Sequence, residues 1–256
     1  MNLKTNLRNR APLVGTFVKT THYHNTEVLA HSPLDLLCLD AEHAPFDRSD
    51  LDTCVLAAKS QQKPVIVRIP DNTPEHILNS LDVGADGLLL PHIKTSQQAQ
   101  AIIKKCFYGN NGRGYAGSSR FASYTTKTIS DNLANNQNNT CIIAQIEDLD
   151  ALAEIDSICA IDEIDCIFIG RMDLTVSLGE TDPKAESVVA AVQQIVTSAN
   201  AHNKAIGMFV SDLSELPHWL KQGVSLFLLA SDHSFMLTGA KALKSQFEQA
   251  QSKVTT

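Results

Sequence analysis

The stretch Asp35-Leu36-Leu37-Cys38-Leu39-Asp40-Ala41-Glu42-His43 decides the fold. Asp35 to Leu39 read as a strand that is apolar on both faces, and it surfaces abruptly in two carboxylates and an imidazole. Strands apolar on both faces belong to parallel sheets covered on both sides. The same pattern recurs at Leu13–Val18, Pro64–Ile69, Asp86–Pro91, Cys141–Glu147, Asp165–Gly170, Ala205–Val210 and Ser225–Ser231, which with Asp35–Asp40 makes eight runs. Between them, Ser49–Ser60, Thr73–Leu81, Ser96–Cys106, Leu149–Ile158, Ala185–His202, Leu213–Lys221 and Phe235–Gln251 carry helical spacing. Start signals such as Thr73-Pro74-Glu75 and Thr95-Ser96 support them. Eight strands alternating with helices predict an α/β fold, a (β/α)8 barrel in a single domain over residues 1–256, with 251–256 as a polar tail. A doubly wound open sheet is the runner-up. We find no internal repeat and no interdomain linker.

Composition agrees. A length of 256 residues suits one such barrel, and 43% hydrophobic residues suffice for its core. The net charge of −7 argues against nucleic acid and anionic membranes as partners. The six cysteines form no C-x-x-C pair, and several lie inside apolar runs. They read as buried, reduced thiols of a cytoplasmic protein. The first twelve residues lack the apolar core of a signal peptide, and no apolar run approaches membrane-spanning length.

A barrel keeps its chemistry at the C-terminal ends of its strands. Those ends carry Lys19, Asp40-Ala41-Glu42-His43, Arg68, His92, Gln145-Ile146-Glu147, Gly170-Arg171-Met172-Asp173, Ser211-Asp212 and Ser231-Asp232-His233. His43 is the side chain suited to exchange a proton near neutral pH, and Asp40 three residues earlier is placed to hold its ring. The competing reading is a strand-end carboxylate followed by two exposed polar residues. Glu147 and Asp173 read as a metal pair, since converging carboxylates repel unless a cation lies between them. Oxygen donors without Cys or His suit Mg²⁺ or Mn²⁺, with Co²⁺ as a further candidate. Alternatively each caps a helix. Arg68 offers a planar fork to a carboxylate or a developing oxygen charge, or forms a structural ion pair. Gln145 shares the barrel face of Glu147 and either meets substrate or fills an interior layer. Asp82 ends a helix against its dipole, which flags it weakly.

Gly112-Arg113-Gly114-Tyr115-Ala116-Gly117 matches G-x-G-x-x-G, but no strand immediately precedes it and an Asn-rich segment rather than a clear helix follows. It reads as a flexible loop or lid whose Arg113 and Arg120 contact substrate or a neighbouring chain. No glycine pair follows strands 7 and 8 to cradle phosphate. No lysine ends strand 6, which weighs against a Schiff-base aldolase, and Lys19 reads as peripheral.

Together, Leu39-Asp40-Ala41-Glu42-His43-Ala44-Pro45, Val67-Arg68, Leu81-Asp82-Val83-Gly84, Arg113-Gly114, Gln145-Ile146-Glu147 and Phe168-Ile169-Gly170-Arg171-Met172-Asp173-Leu174 resemble the HpcH/HpaI aldolases, metal-dependent class II pyruvate aldolases. The motifs run in the family's order over nearly the whole chain. The resemblance implies a (β/α)8 barrel that binds pyruvate on a divalent metal held by Glu147 and Asp173. It implies His43, paired with Asp40, as base and Arg68 as the group that binds and polarises pyruvate. Gln145 would touch substrate, backbone around Gly170–Asp173 (with Met172) would line its pocket, and Asp82 would reach a neighbouring subunit's site. It further implies a homo-oligomer, a hexamer built as a trimer of dimers, with Phe235–Gln251 packing on a neighbour rather than covering the barrel. Arg171-Met172 departs from the family's usual proline and small residue and puts an extra cation and a bulky side chain at the pocket floor. The expected reaction is aldol cleavage of a 4-hydroxy-2-oxo acid to pyruvate and an aldehyde. A citrate-lyase-like thioester lyase and a non-catalytic barrel binding a small oxo acid are the alternatives.

Overall fold

A computed structural model describes residues 2–254. Eight parallel strands, β1 (Leu13–Val18), β2 (Leu36–Asp40), β3 (Val65–Arg68), β4 (Gly87–Leu90), β5 (Cys141–Ile146), β6 (Cys166–Ile169), β7 (Ala205–Val210) and β8 (Val224–Ser231), pair in sequence order and close into a barrel. Closure excludes the open-sheet alternative. Strand alternation sorts every strand into an inner and an outer row. Leu36, Cys38, Ile66, Leu89, Ile143, Phe168 and Leu228 fill the interior, while Leu37, Leu39, Val67, Leu88 and Ile142 belong to the layer packed under the helices. Both rows are apolar, hence the continuous apolar runs.

The N-terminal helix Leu3–Arg8 was not foreseen, because six residues show too little periodicity. It adds Leu3 and Leu7 to the interior cluster and so plugs the barrel's lower end. Its Lys4 and Arg8 reach Asp165 at the start of β6, at 3.5 and 2.6 Å. Asp165 belongs to a repeated device. Asp35, Asp86 and Asp165 each donate their backbone N–H to the carbonyl of Val14, Val65 and Ile142, respectively. Each carboxylate in turn accepts the N–H of that same residue, at 2.8, 2.8 and 2.9 Å. One aspartate before β2, β4 and β6 thus closes the ladder at the bottom of β1, β3 and β5, where strand N–H groups would otherwise be orphaned.

Three further helices escaped the sequence reading. Tyr23–Ala30 and Arg171–Ser177 are short, and Ile129–Asn139 lies in the Asn-rich segment. That last helix carries a Thr128/Asp131 capping box, and two of its buried positions are Asn132 and Asn136 rather than apolar residues. Asn136 works as a connector: its Nδ2 donates to the carbonyl of Cys106 and to Thr140 Oγ1, and its Oδ1 accepts from the N–H of Tyr108. Hydrophobic periodicity is blind to a helix anchored by amides. Leu149–Ile158 proves to be a 3-10 turn, Leu149–Glu154, followed by the helix Ile155–Cys159. The last helix runs from Asp232 to Val254, so the expected polar tail begins as its final turn, while residues 255 and 256 lie outside the described residues. It does not cover the barrel: from Phe235 to Val254 every residue is exposed. All six cysteines are free and buried. No helix among the described residues is long and apolar enough to cross a membrane.

Removing Asp165 leaves the buried Lys4 without its carboxylate and the Ile142 N–H without an acceptor. Asp165→Ala should therefore destabilise the protein by about 3 kcal/mol, read as a lowered midpoint in urea denaturation. An unchanged midpoint would mean that the plug is not fastened through this residue.

Candidate active site

The strand register sets the site. Asp40 and Arg68 are direct partners across β2 and β3, both on inward-facing positions. Arg68 Nε donates to Asp40 Oδ1 at 2.9 Å and Nη2 to Oδ2 at 2.8 Å, a two-pronged bond. The guanidinium lies over the Phe17 ring, 4.6 Å from its centroid, and its Nη1 stands 3.2 Å from Glu42 Oε2. Lys19 Nζ adds a second cation 3.0 Å from Asp40 Oδ2. Burial would raise the Asp40 pKa, but the bonds and charge of Arg68, helped by Lys19, outweigh it and hold the carboxyl below its ordinary range.

Asp40 was expected to hold the ring of His43. Instead its Oδ1 accepts the backbone N–H of His43 at 3.2 Å, closing the turn. An Asp followed by a tight turn reaches backbone more readily than the side chain three residues on. The half-exposed His43 ring turns to Glu42, with Nε2 3.8 Å from Oε2.

His43 and Arg68 line a cavity of about 290 Å³ together with Lys19, Gln145, Met172 and Asp173. Phe17, Phe168 and Phe209 supply its apolar wall. Arg171 also lines it, but its charge is taken up: Nη1 donates to Glu215 Oε2 at 2.6 Å, and Trp219 Nε1 donates to the same oxygen at 3.0 Å. Met172 stands exposed at the rim.

Glu147, almost wholly buried, follows β5. Its Oε1 accepts the backbone N–H of His92 at 2.9 Å, and its Oε2 accepts from Gln145 Nε2. Gly170 makes room for it, since a Cβ there would stand 2.7 Å from Glu147 Oε2. Asp173 lies in the first turn of Arg171–Ser177, exposed, and is not part of the group that Glu147 enters. That group is Glu42, His92 and Glu147, whose donor atoms lie within 4.8 Å of one another. Sequence reasoning placed Glu42 and His92 on the rim but gave them no role, because they converge from different loops. Burial, together with the charge of Glu147, raises the Glu42 pKa against the pull of Arg68. Burial alone would lower that of His92, but its hydrogen bond to Asp148 and the charges of Glu147, Asp148 and Glu42 raise it.

Asp82 is held within its own chain, by Arg113. Arg113 is itself buried between the rings of Tyr108 and Phe121, 4.6 and 4.5 Å from their centroids. Arg120 reaches Asp52 and the Val83 carbonyl, at 2.8 and 2.7 Å. The glycine-rich segment is thus tied down by its arginines, contrary to the expected free lid. Asp82 does not line the His43 cavity; it borders a separate surface hollow with Asp52, Arg120 and Tyr124.

Comparison with known proteins matches residues 13–238 to the family described as HpcH/HpaI aldolase/citrate lyase. The chain belongs to that family. A hydroxypyruvate/pyruvate aldolase of Paraburkholderia phytofirmans is 33% identical over 248 residues, covering 93% of this chain and 94% of that protein. A 5-keto-4-deoxy-D-glucarate aldolase of Shigella boydii is 30% identical, covering 92% of each. The crystal structure of an HpcH/HpaI aldolase/citrate lyase family protein from Burkholderia cenocepacia J2315 superposes with a TM-score of 0.91 at 28% identity, covering 97% of this chain and all of that one. The family's (β/α)8 barrel and this chain's agree throughout.

The lowered pKa of Asp40 has a consequence for stability. A carboxyl whose folded pKa lies below its ordinary value of 3.8 contributes stability that is fully present above pH 3.8. That contribution is lost as pH falls through the lowered value. Asp40→Asn should start less stable at neutral pH and flatten the acid limb of a melting-temperature profile. An acid limb as steep as that of the wild-type protein would mean that the pair does not govern it.

Proposed function

We propose that this chain is a divalent-metal-dependent pyruvate aldolase that cleaves 4-hydroxy-2-oxo acids to pyruvate and an aldehyde, and condenses them in reverse. The observation that carries the reading is Arg68: held by two parallel bonds to Asp40, it lines a cavity together with His43, Gln145 and Asp173. Family membership and two aldolase relatives support it. Small 2-oxo acids and aldehydes are the substrates, and the cytoplasm is the expected compartment.

The residues fit a divalent cation. Buried acids gather where Glu42 Oε2 and Gln145 Oε1 have no hydrogen-bond partner among the described residues. Glu147 would anchor it, and Asp173, which lines the Arg68 cavity, would join; Mg²⁺ or Mn²⁺ suits oxygen donors, with Co²⁺ a third candidate. When bound, the cation supplies a Lewis acid for the oxo acid's oxygens. The chain's own groups do the rest. Arg68 offers N–H groups where negative charge develops on oxygen. Gln145 orients the substrate by hydrogen bonding. His43 takes the proton, from the alcohol in cleavage and from the pyruvate methyl in condensation. Lys19 adds its charge at Asp40 Oδ2, the oxygen that Arg68 Nη2 also meets.

We also assign the uncovered last helix to a neighbouring copy, giving a homo-oligomer, a trimer of dimers. Phe235, Met236, Leu243 and Phe247 are all exposed on it. Asp82, outside its own chain's cavity, would serve a neighbour's site. Leu243→Glu with Phe247→Glu should lower the molar mass seen by light scattering, whereas a wild-type protein that is monomeric at micromolar concentration would reject the assembly.

A panel of 4-hydroxy-2-oxo acids, assayed for pyruvate release with and without chelator, tests the activity. Thioester cleavage without pyruvate release would favour the citrate-lyase type instead. The roles separate further because an enolate also arises by loss of CO₂ from oxaloacetate, which needs no base. His43→Ala should lose aldol cleavage and deuterium exchange into the pyruvate methyl by about 10²–10⁴-fold, yet keep oxaloacetate decarboxylation. Arg68→Ala should lose both. Wild-type exchange in His43→Ala, followed by proton NMR, would remove His43 from the role of base.

A further inference from the structure

His92 is not accounted for by the aldol chemistry above. It follows β4 in a left-handed backbone conformation, φ 53°, which brings both its N–H and its ring onto the acids of the rim. The ring is oriented from one side: Nδ1 stands 3.0 Å from Asp148 Oδ2, with Glu147 Oε1 farther off at 3.4 Å. Its other nitrogen, Nε2, points to Glu42 and stands 3.5 Å from Oε1. Ligand atoms around a divalent cation, each about 2.0–2.2 Å from it, are spaced about 3 Å apart. The spacing found is therefore near that of neighbouring ligands. A histidine that binds metal through one nitrogen almost always gives its other N–H to a carboxylate or carbonyl. Asp148 occupies that position. Donor atoms of Glu42, His92 and Glu147 lie within 4.8 Å of one another.

We infer that His92 Nε2, oriented by Asp148, is a ligand of the active-site cation beside Glu147 and Glu42. The inference rests on the metal-dependent reading above and deepens it. An imidazole added to carboxylates changes the metal that the site prefers. Oxygen-only sites suit Mg²⁺, while imidazole suits the borderline transition metals. The site therefore favours Co²⁺ over Mg²⁺, and His92 is the residue that sets the preference.

The test uses full-length protein stripped of metal by chelator, titrated calorimetrically with Co²⁺ alone and with Mg²⁺ alone. His92→Asn removes the imidazole while tolerating the left-handed backbone; Asp148→Asn removes only the orienting charge. His92→Asn should weaken Co²⁺ by at least about tenfold and Mg²⁺ much less, and Asp148→Asn should weaken Co²⁺ by about tenfold. The Co²⁺ form of the wild-type protein should show a strongly shifted, solvent-exchangeable ring N–H resonance in its proton NMR spectrum, absent from His92→Asn. Co²⁺ bound equally well by wild type and His92→Asn, without that resonance, would make His92 a mere counter-ion of the acids. The inference would then fall and the metal reading stand. If neither cation binds the wild-type protein, the metal reading falls and the inference with it.

Discussion

A carboxylate and a guanidinium sealed side by side at the mouth of the barrel govern everything built around them. Taking Asp40 and Arg68 out of water costs several kcal/mol for each ion, and apolar residues of similar size would often serve stability as well. The pair is sustained by its geometry: two parallel bonds, the Phe17 face, the Lys19 ammonium and the His43 N–H. Each depends on register. Asp40 opposes Arg68 only because β2 and β3 pair as they do, and one residue of slip in either strand would turn its charge outward into the helix layer. The aspartates at the barrel's lower end fix the neighbouring pairs instead, β1 with β2, β3 with β4 and β5 with β6.

The barrel was legible because both rows of every strand are apolar, so burial left a mark in the sequence. Each apolar run ends where side chains leave the core, and the site lies at those ends. Less of the site was legible, for a geometric reason. Arg68 and Gln145 are set by strand alternation, which sequence spacing records. Glu42 and His92 meet only because two loops fold over the same edge, and nothing in either loop refers to the other. His92 is further hidden by its backbone, since a left-handed residue aims its side chain where no strand periodicity predicts. The Asn-lined helix Ile129–Asn139 was missed for a related reason: its buried contacts are hydrogen bonds, and apolar spacing does not report them.

Electrostatically the rim is unfinished as protein alone. Glu42, Glu147 and Asp148 crowd around His92, and the other cations near them are the Nη1 edge of Arg68 and Lys94, which reaches Asp148. Gly170 leaves room for Glu147 there, and Gln145 donates to it a hydrogen bond but no charge. Such crowding is costly to maintain for packing alone. It is the arrangement expected where a divalent cation completes the charge balance.

The contrast between Arg68 and His43 then acquires a reason in the proposed reaction. Charge on the oxo acid's oxygen develops in every route to the enolate, so the group that meets it gains most from being fixed in advance. Arg68 is fixed on two edges and one face. Proton transfer tolerates more freedom, because a base has only to come within hydrogen-bond reach during the event. His43 matches this. Its backbone is anchored to Asp40, while its ring is half exposed and free of Asp40's carboxylate. Asp40 therefore serves both groups, but unequally: it sets the guanidinium directly and the imidazole only through the turn that carries it. A defect at Asp40 acts first on the electrostatics of the cavity and second on the base, the reverse of what a simple Asp–His pair would give.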